Sequence, residues 1–172
     1  FGGMDRAALK ALPVLQAYDA YYKRFDKTYH VQLQLESIVH KGKSIPHVAA
    51  LVEAMFMAEV KNMLLTAGHD LDVVQLPLTL DVARGDEVYT LLRGQEQGLK
   101  PGDMVIRDRA GIVSSIVYGP DARTQIRPET RAVVFTVYGV PGILPEAMRA
   151  HLQDIEAFAR LISPEAQTEM LQ

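Results

Sequence analysis

Apolar positions recur at helical steps in the first third of the chain and at strand steps afterwards. Residues 5–12 and 14–25 carry apolar positions three and four apart, with Pro13 breaking the run. Tyr18, Tyr21 and Tyr22 give the second segment an aromatic face, expected to pack against the domain rather than to stack on bases. Residues 31–40 predict a third helix, stopped by Lys41-Gly42-Lys43, whose glycine suits a left-handed cap. The longest helix is predicted from Pro46 to about Ala67, with Leu51, Met55, Ala58, Asn62 and Leu65 on one face and Gly68 ending it. Met55, Met57 and Met63 read as core filler.

From Pro77 the period becomes two. Leu78 to Arg84 alternates, Gly85-Asp86 turns, and Glu87 to Leu92 is expected to return as a hairpin. Asp103–Arg107, Gly111–Tyr118 and Arg131–Tyr138 are further strand candidates, with turns at Gly94 and Pro101-Gly102. An amphipathic helix follows over about Pro145 to Leu161, closed by Ser163-Pro164. The order helices, strands, helix predicts an α+β fold in one domain. Within it, residues 1–45 form a helical extension, 46–143 the core and 144–172 a closing helix.

Composition narrows the picture. At 172 residues the chain can bury a substantial core, and 48% apolar with 23% charged residues is ordinary for a globular domain. Glu53, Glu59, Lys61 and Asn62 interrupt the longest apolar stretch, which excludes a membrane span there. No charged-then-apolar leader begins the chain, and it contains no cysteine, so disulfides, thiolate nucleophiles and Cys-bound zinc drop out. A cytoplasmic location is the expectation. The net charge is −3, so any contact with nucleic acid must be a local patch.

Three constellations can carry chemistry. The first is His69 with Asp70 and Asp72, a group that can orient water or hold a metal, although a solvated loop histidine is the commoner case. The other histidines lack ligand spacing, and no metal or other cofactor is expected. The second is a polar hook, Tyr118-Gly119-Pro120-Asp121-Ala122-Arg123-Thr124. Asp121 can take an amino group and Arg123 a phosphate or carboxylate; equally, the two can simply pair across a turn. The third is the basic set Arg107, Arg109, Arg123, Arg127 and Arg131, with Arg107 and Arg109 expected on one face of a strand. Ser114-Ser115 has no glycine elbow around it, and no phosphate-cradling glycine loop occurs.

From about Ala49 to Ile143 the order of these features resembles the B3/B4 domain of the phenylalanyl-tRNA synthetase beta subunit. The resemblance is carried by Leu51-Val52-Glu53, by Gly68-His69-Asp70-Leu71-Asp72, by the strand ending in Arg84, by Leu99-Lys-Pro-Gly-Asp-Met-Val-Ile-Arg-Asp108, and by Thr124-Gln-Ile-Arg-Pro-Glu-Thr130. The chain looks still more like the free-standing proteins of that kind, which have a helical front end and a hook similar to Gly119–Thr124. This resemblance implies mixed β-sheets in a layered sandwich with flanking helices. It also implies hydrolysis of the ester on a wrongly charged tRNA, the aminoacylated 3′ end being the partner, with no DNA or membrane involved.

Carried over by position, His69 would orient water or the terminal ribose. Asp72, Ser114, Ser115, Gly119, Asp121, Arg123, Thr124 and Thr136 would line the substrate site, and Arg107, Arg109 and Arg127 would meet RNA. Thr136 stands where the synthetase domain has a glutamate that reads tyrosine, and Ser114-Ser115 replaces an alanine-glycine pair. Both differences point away from tyrosine as the discriminated amino acid. Two other readings are a non-catalytic module binding RNA or an amino acid, and a hydrolase of another small amino-acid ester or amide. Nothing resembles an ATP-binding synthetase core.

Overall fold

The computed structural model describes residues 1–170. They form an α+β fold with helices at both ends of the chain and strands between. The chain divides into two compact units, one of residues 1–66 together with those from Val137 onward, the other Ala67–Thr136.

The first unit is helical. Helix α1 (Arg6–Lys10) is capped by the Asp5 carboxylate, which accepts the Ala8 N–H at 2.8 Å. Helix α2 spans Pro13–Lys23, so Pro13 opens this helix instead of merely interrupting a run: at the first helical position its missing N–H is no loss. Helix α3 (His30–Lys41) ends on Gly42 at φ 61°, the left-handed cap expected. Tyr18, Tyr21 and Tyr22 are buried, and Tyr18 stacks on Tyr29 with ring centroids 4.3 Å apart. The aromatic face is packing, as its spacing suggested.

Helix α4 is shorter than the sequence pattern suggests, at Ala50–Asn62. Met63 takes φ 60° and closes it, its N–H bonded to the Glu59 carbonyl at 2.7 Å. The buried Glu59 side chain then accepts the Thr66 N–H at 2.8 Å, a bond that replaces the next helical one and turns the chain into a strand. Helix α5 (Pro145–Ile162) lies beside α4. Asp154 on α5 accepts from Lys61 at 2.7 Å and from Asn62 at 2.8 Å.

The second unit carries the strands. Strand β1 (Thr66–Asp70), which begins at the boundary, pairs with β8 (Val133–Val137). A four-stranded antiparallel sheet has the order β2 (Thr79–Val82), β5 (Met104–Asp108), β6 (Gly111–Ser115), β7 (Gly119–Pro120). Strands β3 (Val88–Thr90) and β4 (Glu96–Gly98) form a separate ribbon.

The expected hairpin between β2 and β3 is therefore not formed. The β2 ladder runs on through Ala83, whose N–H bonds to the Asp103 carbonyl, so β2 is taken up by β5. The Glu87 carboxylate meanwhile binds the Arg84 and Gly85 N–H groups and fixes the turn in another direction. As the outermost strand of its sheet, β2 leaves Leu80 at 66% and Val82 at 54% exposure. Ala83, Tyr89, Leu99, Val105 and Ile112 form the apolar core of this unit. No helix among the described residues is long and apolar enough to cross a membrane.

Candidate functional site

The polar hook and β1 meet inside the second unit. Gly119 adopts φ +88°, which favours glycine, and its carbonyl accepts the Tyr89 hydroxyl at 2.8 Å. Beyond it, Asp121 and Ala122 donate their N–H groups to the Val113 and Thr90 carbonyls, and Asp121 bridges to Leu91. The Asp70 N–H reaches the Thr124 carbonyl at 2.8 Å. Backbone bonds on three sides thus bring the hook against the strand that carries His69.

His69 lies on β1 and is fully buried, which corrects the expectation of a solvated loop position. The shorter α4 is the reason: ending at Asn62, it leaves room for a strand before residue 70. His69 Nδ1 is 2.8 Å from Thr124 Oγ1, whose hydroxyl donates to the Asp121 carboxylate. The Nε2 atom is buried with no hydrogen-bond partner among the described residues. Burial first, and then the nearby Arg123 charge, lower the imidazole pKa to about 4, with Asp108 acting weakly the other way. His69 is a neutral imidazole at physiological pH.

Beside this lies an ion cluster that the sequence did not reveal. Arg123 donates to Asp108 through both terminal nitrogens, at 2.9 and 3.0 Å, and its Nε lies 3.4 Å from Asp121. The Asp108 side chain, wholly buried, also accepts the N–H groups of Gln75, Ala110 and Gly111. Burial raises the Asp108 pKa, but these donors outweigh it and the net shift is downward. Burial likewise raises the Asp121 pKa, only partly offset by the two bonds from Thr124 and by Arg123. The turn pairing of Asp121 with Arg123 is thus present, and Asp108 is the stronger partner. A β-bulge between Ile106 and Arg107 shifts the register of the β5–β6 pair just before Asp108.

The remaining candidates are placed as follows. Asp72 is exposed, and its N–H bonds to the Asp70 carboxylate. Ser114 and Ser115 are buried on β6, and Ser115 donates to Asp103 at 2.5 Å. Thr136 is half-buried on β8, 3.4 Å from the Ala67 carbonyl. Arg107 and Arg109 do not share a strand face, because β5 ends at Asp108 and Arg109 sits in the following turn. Arg107 binds Asp81 at 3.0 Å and Glu87 at 2.5 Å, whereas Arg109 and Arg127 are exposed. Asp103, Asp108 and Glu87 were missed as partners; their signal is pairwise and becomes visible only with strand register. No group of histidine and carboxylate side chains among the described residues is arranged to hold a metal ion.

The hook thus encloses a neutral imidazole backed by a hydroxyl and a carboxylate. No curated protein matches the chain. The model of the family described as the B3/4 domain matches residues 16–172, from within helix α2 through strands β1 to β8 and helix α5, and the chain belongs to that family.

Proposed function

We propose that the chain hydrolyses the ester of wrongly charged tRNA, acting in trans as a deacylase. One observation supports this most: a neutral histidine inside the hook, held at Nδ1 and unpaired at Nε2. An aminoacyl ester is already activated, so catalysis needs a seat for the amino acid, an oriented water and charge stabilisation, not a serine or cysteine nucleophile. His69 would orient that water, and Ser115 and Thr136 would help shape the side-chain pocket. Arg109 and Arg127, being exposed, would contact phosphates, whereas Asp81 and Glu87 already neutralise Arg107. Arg123, bound to Asp108 through both terminal nitrogens and close to Asp121 through Nε, would hold the hook in place.

The full burial of His69 favours a second reading, a module that binds RNA or an amino acid without turnover. Offering the protein a panel of correctly and wrongly charged tRNAs separates the two. Selective release of one amino acid, lost in His69→Gln, supports the deacylase. Saturable binding with no release by the folded protein supports the module.

A further inference from the structure

We propose that Thr124 and Asp121 are positioning residues for His69: together they fix its single proton on Nδ1 and leave Nε2 as a lone-pair acceptor. The catalytic consequence rests on the hydrolase reading above; the positioning itself does not.

The Asp121 carboxylate receives the Thr124 N–H at 3.0 Å and the Thr124 hydroxyl, and faces Arg123 Nε at 3.4 Å. Surrounded by donors, it acts as an acceptor. The one hydroxyl hydrogen of Thr124 is thereby committed to Asp121. Oγ1 can offer His69 only a lone pair, so the nitrogen 2.8 Å away must carry the hydrogen. A neutral imidazole has one N–H, and the buried Nε2 is then the bare nitrogen, the atom that finds no partner among the described residues.

The order carboxylate, hydroxyl, imidazole differs from the familiar pair in which a carboxylate meets the imidazole directly. A hydroxyl transmits orientation but little charge, so it does little to stabilise an imidazolium. That suits an acceptor that aligns a water or ribose hydroxyl more than one that stores its proton. The backbone bonds of Asp70, Asp121 and Ala122 hold the hook without help from the Thr124 side chain, so removing the hydroxyl need not displace the loop.

Imidazole nitrogen shifts in nitrogen-15-labelled protein at pH 7 decide the matter without any substrate, the His69 signals being assigned by their disappearance in His69→Gln. The expected wild-type pattern is a protonated Nδ1 and a bare Nε2. Thr124→Val should convert this to a mixture or to the other tautomer, and Thr124→Ser should retain it. A wild-type Nε2–H tautomer, or a Thr124→Val protein that keeps the wild-type pattern, would overturn the proposal. If Thr124→Val fails to fold, the wild-type pattern and Thr124→Ser still decide. With a charged tRNA that the wild type deacylates, Thr124→Val should lower kcat at least about tenfold with KM nearly unchanged, and Thr124→Ser should restore it. An unchanged kcat would overturn the catalytic consequence of that positioning. If the wild type deacylates nothing, the hydrolase reading falls while the nitrogen shifts still settle the positioning.

Discussion

Asp108 and Arg123 form a two-pronged ion pair beside the hook, and single-residue changes there have separable outcomes. Asp108→Ala would leave three backbone N–H groups without their acceptor and the guanidinium with only Asp121 as a carboxylate partner, so a loss of about 3 kcal/mol in urea unfolding is expected. Asp108→Asn keeps the shape and some acceptor capacity, and should lose less. For RNA contact, Arg127→Ala should weaken tRNA binding and lower the slope of log affinity against log salt by about 1, with Arg107→Ala moving that slope least. The sequence made His69 and the hook conspicuous through their types and order. It left Asp108 as no more than the last residue of the Leu99–Asp108 run. Its partnership depends on the end of β5 and the hook, 15 residues further on, being folded together across the bulged β5–β6 pair, which local spacing does not encode.

At the scale of elements, periodicity located the helices and β2, β3, β5, β6 and β8, but it missed β1, β4 and β7 and did not show where one element yields to the next. The apolar run through Leu64, Leu65 and Ala67 fits a helix and a buried strand equally well, and Glu59 decided between them by capturing the Thr66 N–H. Partner choice among strands was similarly hidden, because Leu78–Arg84 carries no mark distinguishing β3 from β5 as its neighbour. Gly68 belongs to this scale. A Cβ there would lie 2.8 Å from the Ile126 side chain and 2.9 Å from that of Phe135, so β1 needs a glycine beside His69. Gly68→Ala should destabilise the second unit by about 1–3 kcal/mol, read by thermal unfolding, and should perturb His69 through its neighbour.

Across the whole molecule, buried titratable groups set opposing dependences on pH. Burial lowers His69 and His151, both wholly enclosed, to about 4, so the unfolded chain binds more protons below its own value of 6.5. Their contribution is present above pH 6.5 and is lost as pH falls towards 4. Burial raises Glu59 to about 8, so its contribution is complete below 4.5 and is lost as pH rises through 8. Unfolding midpoints in urea should therefore peak near pH 6.5. Between there and pH 8 the Glu59 slope is at most about 1.4 kcal/mol per unit; Glu59→Gln should flatten it, steepen the rise between pH 4.5 and 6.5, and leave the dependence below pH 4.5 unchanged.

The outer strand β2 has a consequence for handling the protein. Its unpaired rim of backbone donors and acceptors, flanked by exposed Leu80 and Val82, is a template on which another extended chain can add. Heating concentrated samples should then end in precipitation instead of reversible melting, with midpoints that drift with concentration and scan rate. A lysine in place of Leu80 should restore reversibility at little thermodynamic cost, because that side chain already stands in solvent.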